Sequence, residues 1–506
     1  METPGSLKRS VRGLNKERLG NRVLYFFSPS LTALGVVGIG VFPVVGNALA
    51  LALGIPRRLA QLVVLALAIA ILLPRSRQVF QVFSMLITRR VRWIVVPVFT
   101  LIALPGLIRM RESTSLSTYA AWAAIMGLSW LLLLLVHLLH KSSVLLHKPV
   151  HSPNDGAWGK TFGMALVLII GSLALIAYLY GPDPDNAYMA FRGSTTVAGT
   201  TAAILAAIAL LLPDGAWRPI GLFFAVYLNF IATSRTGLLL LFILGGIALW
   251  TQRHVLMRNL VLVLVCGVLV ILLTATNRYF PYASSRPGPE GAHVIYLTER
   301  LTDWEGIQHR YTRILRIGRI PAPLFPRRTL SPEPQTRILR IGRIPAPHLP
   351  PDVIKRLEES GEGDSRWIIW SGTLAAIAGR PWGNWPMPFA DATQIYCGRP
   401  PICPYPHNLV LEVGYHFGWL ALGIMVSGIA LLAFRALRAA GEGDLLVRLS
   451  SIVLLGQLGL AQFSGDLRDH GLVLFSAVLW TAFRYSSPSL DLTVPVREKA
   501  NTALSR

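Results

Sequence analysis

Long apolar runs alternate with short polar connectors along most of this chain. The runs lie near 24–53, 59–73, 93–108, 118–139, 162–180, 195–213, 217–233, 236–250, 259–275, 409–434, 446–463 and 471–483. In lipid, such runs can satisfy their backbone groups only as helices, so the pattern predicts an all-α polytopic membrane protein with about twelve transmembrane helices. The first run contains Pro43 and Gly46 and is divisible there into a helix pair. Several runs are short, which leaves both their tilt and the count open.

Charge in the connectors predicts sidedness. The N-terminus is basic (Lys8, Arg9, Arg12, Lys16, Arg18, Arg22), and so are alternate connectors: Arg75, Arg77, Arg89, Arg90 and Arg92; Lys141, Lys148 and Lys160; Arg253 and Arg258; Arg435, Arg438 and Arg448. Basic residues collect on the cytoplasmic side, so both termini are expected there. Arg57-Arg58 and the pair Arg109 and Arg111 dissent. The expected organisation is a cytoplasmic basic N-terminus (1–22), helices one to nine (23–275), one large external loop (276–407), helices ten to twelve (408–484) and a cytoplasmic tail (485–506). The long segment is too long for a connector and reads as an external module or lid.

Composition agrees with this class. The 506 residues are 53% hydrophobic and 14% charged, where a soluble domain carries about a quarter charged residues. Mean hydropathy is +0.52. The net charge of +23 suits orientation and contact with anionic headgroups, and no nucleic-acid-binding motif accompanies it. The basic start leads into an apolar stretch too long for a signal h-region, so no cleavable signal peptide is expected. Cys266 lies in an apolar run, while Cys397 and Cys403 share the long loop. On an oxidising side these two are a candidate disulfide; two unpaired thiols are the alternative.

The loop also holds an internal repeat, "TRILRIGRIPAP", at 312–323 and again at 336–347. Two copies are too few for a solenoid. Either a local duplication or an arginine patch (Arg313, Arg316, Arg319; Arg337, Arg340, Arg343) for an anion accounts for it.

Ionisable residues avoid the middles of the spans, unlike those of an ion-coupled transporter. They gather at expected external ends: Arg192 in "AFRGSTT", Arg235 in "ATSRTG", Arg366 in "DSRWIIW", His407, and Asp466, Arg468 and Asp469 in "DLRDH". Such a distribution suits a reaction at the outer surface on something anchored in the bilayer. An arginine at a boundary either snorkels to headgroups or clamps a phosphate with its bidentate fork. For Arg366, packing on Trp367 and Trp370 is a further alternative. "DPD" at 183–185 reads as a turn, or as a cation site for a metal-dependent transferase.

In "PYPHNLVLEVGYHFGW", 404–419, the long loop meets an apolar run. Asn408 is expected to cap the helix. Glu412 and His416, one turn apart, are expected to be structural. Gly418 is expected to allow close helix packing.

His407-Asn408, nine residues, then Gly418 resembles the signature of the O-antigen ligase and O-antigen polymerase superfamily. A second glycine of the ligase pattern is replaced by Ala421, with Gly423 nearby. "SRTG" at 234–237, "RWIIWSGTLAAIAGRPWGNW" at 366–385 and "FRGSTTVAG" at 191–199 resemble further segments of that family, in its order. The resemblance covers roughly 190 to 425; the first five spans match in layout alone.

The resemblance implies a GT-C-like, metal-independent, inverting glycosyltransferase in a bacterial inner membrane, with no cofactor and its site facing the periplasm. Its donor would be a glycan on undecaprenyl diphosphate. Its acceptor would be lipid A–core for a ligase, or a lipid-linked glycan for a polymerase. His407 would be the general base, a role suited to imidazole, whose ordinary pKa is near 6.5. Arg235, Arg366 and Arg192 would bind the diphosphate, and Asn408 and Gly418 would support the site. The ligase form is the nearer. A polysaccharide-lipid transporter is the alternative from another class.

Overall fold

Each of the twelve apolar runs coincides with a helix over all or nearly all of its length in the computed structural model. It describes residues 4–87, 89–112, 118–140, 155–180, 195–232, 234–275, 365–387, 389, 406–442, 444–463 and 470–485. Among them there is no strand. The helices are α1 (Pro4–Leu53), α2 (Arg57–Leu72), α3 (Ser76–Leu86), α4 (Arg89–Glu112), α5 (Thr118–Leu139), α6 (Asp155–Tyr180), α7 (Thr195–Leu211), α8 (Trp217–Ala232), α9 (Arg235–Thr251), α10 (Leu256–Ala275), α11 (Ser365–Gly379), α12 (Leu409–Glu442), α13 (Leu445–Ala461) and α14 (Gly471–Tyr485). Among the described residues, seven helical stretches are long and apolar enough to cross a membrane: Pro29–Leu53, Arg57–Leu86, Val91–Met110, Ala120–Leu139, Trp158–Ala177, Arg253–Leu273 and Leu409–Gly441. The other five runs form shorter apolar helices of 10–17 residues. Large apolar side chains such as Leu67, Trp93, Met257, Leu264 and Phe242 are exposed. The architecture is that of a membrane-embedded helical protein.

Two expectations change. The first run is one helix, not a pair: α1 continues through Pro43. Proline removes one ladder bond, but packing on neighbouring helices can hold the helix together across it. Gly46 serves the packing instead, since a Cβ there would sit 2.7 Å from the Gln61 backbone. The second connector is largely helical, because α3 buries Val82 and Leu86.

Pairwise contacts fix the helix directions. Gly46 meets Gln61 and Gly38 meets Ala68, so α1 and α2 are antiparallel. Gly127 meets Phe417 and Gly428 meets Leu134, so α5 and α12 run the same way. Gly456 meets Leu244 and Gly459 meets Leu240, so α13 opposes α9. Gly199 meets Gly237, so α7 and α9 start together. The connection 232–235, the α7 start, the α13 end and the α12 start therefore share one end of the bundle. That end is where the polar residues were expected to gather. Ala202–Leu211 of α7 are buried throughout.

Two of the dissenting arginines, Arg57 and Arg109, are held by hydrogen bonds to protein. Arg57 Nε donates to Asn47 Oδ1 at 2.7 Å, and Arg109 donates to the Gly383 carbonyl.

Candidate functional site

His407 sits in a turn that its neighbours hold from both sides. Its backbone is left-handed, with φ of 54°, a conformation costly for a residue with a Cβ. On one side, Trp370 Nε1 of α11 donates to the Pro406 carbonyl at 2.9 Å. On the other, Asn408 caps α12: its Oδ1 accepts from Leu411 N–H at 3.0 Å, and its Nδ2 donates to the Gln462 carbonyl past the end of α13 at 3.3 Å. The capping role expected for Asn408 is present, with a second bond that the sequence did not suggest. The Trp370 ring also packs on Phe463, with centroids 6.5 Å apart. Trp370, Ser371, Leu374, Asn408, Val410, Leu411 and Gln462 line an open groove of about 450 Å³ beside this turn.

Further along α12, Gly418 departs from the expected role. It is not a helical packing position; it breaks the helix, with φ 81° and ψ −169°. Backbone groups freed there find partners in the loop after α11. Asn384 N–H donates to the Tyr415 carbonyl at 2.8 Å, Trp385 N–H donates to the His416 carbonyl at 3.0 Å, and Trp419 N–H donates to the Pro381 carbonyl at 2.9 Å. Asn384 Nδ2 adds a 3.2 Å bond to the Tyr415 carbonyl. Trp385 Nε1 reaches the Ala120 carbonyl at 2.8 Å, anchoring the loop to α5. An interrupted membrane helix is tolerable only when its freed groups are paired like this.

Glu412 and His416 are buried, at 0% and 1% exposure. Tyr415 and Phe417 pack on the His416 ring. Both residues belong to the packed face of α12, as expected.

Arg235 is the first residue of α9, whose N-cap is Ser234. Ser234 Oγ accepts from Gly237 N–H at 3.1 Å. Here α9 crosses α7 backbone to backbone: a Cβ on Gly237 would lie 2.6 Å from Gly199 Cα. Asn229 Nδ2 of α8 binds both helices, donating to the Gly199 carbonyl at 2.8 Å and the Gly237 carbonyl at 3.2 Å. The segments "FRGSTTVAG" and "SRTG", separate in sequence, thus meet through their glycines. Likewise "RWIIWSGTLAAIAGRPWGNW" meets the 406–419 stretch twice, through Trp370 and through the loop at Gly383. Arg366 is the second residue of α11, one helical turn before Trp370.

The side chains of Arg235 and Arg366 lie outside the description, as do the whole of Arg192, Cys397, Cys403, the two repeats, Asp183, Asp185, Asp466, Arg468 and Asp469. Asn229 and Gln462 went unremarked in the sequence. The available signal was a lone amide in or at the end of an apolar run, where a polar group demands a partner.

No protein-family model matches this chain, and no curated protein matches it.

Proposed function

We propose that this protein is a glycosyltransferase of the O-antigen ligase type. It moves a glycan from undecaprenyl diphosphate in the outer leaflet to lipid A–core. On this reading twelve helices span the inner membrane, both termini are cytoplasmic, and the His407 end faces the periplasm. The observation that carries it is the His407 turn: a histidine in left-handed backbone, fixed by α11 and α13, at the same bundle end as Arg235.

His407 takes the proton from an acceptor hydroxyl. That oxygen forms a bond to the anomeric carbon as the bond from carbon to diphosphate oxygen breaks, inverting the centre. Undecaprenyl diphosphate leaves with the electron pair. No nucleotide sugar is needed, because the sugar–diphosphate bond supplies the driving force. Arg235, Arg366 and Arg192 bind the diphosphate and stabilise the charge that develops on it. A positioned base contributes about 10² to 10⁴ in rate.

The test is deletion in the native host, complementation with variants and a lipopolysaccharide gel. Loss of all ladder bands, with lipid-linked polymer accumulating, supports the ligase. A core carrying one repeat unit identifies a polymerase instead. His407→Ala should abolish complementation while the protein remains in the membrane; full activity in that variant removes the base assignment. Loss of activity on chelating divalent cations would overturn the metal-independent route. Movement of lipid-linked glycan across vesicles with no glycosidic bond formed would identify a transporter.

A further inference from the structure

The left-handed turn at His407 is costly, and the residues flanking it, 406 and 408, are hydrogen-bonded to α11 and to the end of α13. One of these bonds comes from Trp370. Its indole N–H meets the Pro406 carbonyl at 2.9 Å, immediately before the histidine. Trp370 stands one helical turn after Arg366 on α11. A single rigid helix thus carries an arginine at its start and the donor that fixes the histidine's backbone. We infer that Trp370 is a positioning residue: its indole N–H sets where the His407 imidazole stands relative to the substrate bound at Arg366. The inference rests on the transferase reading above.

The physical reason is directional. A left-handed residue persists where its surroundings over-determine it. The bond from Asn408 to the Gln462 carbonyl ties the turn to α13. The bond from Trp370 ties it to α11 at the residue next to the histidine, and removing that one loosens the base relative to the helix that carries Arg366. A base displaced by about 1 Å loses on the order of 10²-fold in rate while ground-state binding survives.

The experiment uses the full chain reconstituted in vesicles. Lipid-linked glycan and lipid A–core are extracted from the deletion strain and supplied to it, and initial rates are measured against each. Trp370→Phe keeps an aromatic ring against Phe463 and removes the N–H. It should lower kcat roughly tenfold to a hundredfold, with KM for donor and acceptor near wild type. Phe463→Leu removes the ring contact and keeps the N–H bond; its kcat should stay close to wild type. Unchanged kcat in Trp370→Phe overturns the inference. So does equal loss in both variants tracking thermal stability, or failure of Trp370→Phe to fold, since each makes the tryptophan a packing residue. If His407→Ala is inactive and Trp370→Phe is normal, only this inference falls. If His407→Ala keeps full turnover, the transferase assignment of the histidine falls with it.

Discussion

Gly383 and Gly418 each lack a side chain where the main chain beside the other passes. A Cβ on Gly383 would overlap the His416 carbonyl and lie 2.7 Å from Phe417 Cα; one on Gly418 would overlap the Pro381 carbonyl and lie 2.7 Å from Gly383 N. Both have positive φ, 87° and 81°. Either glycine replaced by alanine meets unfavourable backbone and overlap with main chain that cannot swing aside. A cost of about 2–5 kcal/mol follows from adding the two effects. Gly423→Ala, with nothing within 4 Å, should be neutral or slightly stabilising in the same helix. Thermal unfolding in detergent, read for the three variants side by side, checks this; equal midpoints would refute the interlock.

The turn at 407 makes a second prediction. Glycine adopts a φ of 54° freely, and alanine only at a cost. His407→Gly should therefore be more stable than His407→Ala by about 1 kcal/mol, although both lack the imidazole. A histidine retained where glycine is more stable would be a residue kept for its chemistry. Denaturation of the two variants under identical conditions gives the difference directly.

Asn408 has two separable bonds. Asn408→Asp keeps a cap on Leu411 N–H and loses the donor to the Gln462 carbonyl; Asn408→Ala loses both. The alanine variant should cost about 1 kcal/mol from the cap, plus about 1 kcal/mol for the second bond. The aspartate variant should keep the cap and lose the second bond, with added repulsion between its carboxylate and the Gln462 carbonyl. Protease protection at the start of α12 would report which end of the turn has loosened.

At the opposite end of the bundle, Arg258 donates to both oxygens of Asp214 at 2.6 and 2.8 Å. That bond holds the Asp214 carboxyl below the ordinary carboxylate range, against a smaller opposing effect of burial. A depressed folded-state pKa adds stability above the unfolded value, near pH 4, and loses it as pH falls through the folded value. The Asp214 side chain is 62% exposed, so the effect is small. Asp214→Asn should lower stability slightly in the neutral range, where the carboxylate pairs with Arg258 and with the buried Arg218, and flatten the fall below about pH 4, so that the two proteins converge in acid. Midpoints recorded from neutral pH downward for both proteins decide it.

The helices were legible because lipid and a helical interior ask for the same long apolar runs. What was not legible depended on partners far along the chain. Pro43 looks like a break in isolation, and only α2 packing across Gly46 shows why α1 continues. Gly418 looks like an ordinary membrane glycine; its break exists because Pro381, Asn384 and Trp385 take up the exposed backbone groups. Arg57 and Arg109 fall outside the alternating charge pattern, and each has a polar partner within the protein that the sequence did not point to. At the candidate site, the Asn408 cap could be read from its position before an apolar run. The donor from Trp370 could not, because nothing local to residue 370 points to residue 406.

The crossing of α7 and α9 has a mechanical consequence. Where helices meet through side chains, rotamers can yield and the helices slide by small amounts. At Gly199 and Gly237 they meet main chain to main chain, with Asn229 fastening a carbonyl of each. Such a joint has no soft layer. The spacing between the start of α7 and the start of α9 is gauged by covalent geometry rather than by packing, so it should stay constant whatever molecule lies at that end of the bundle.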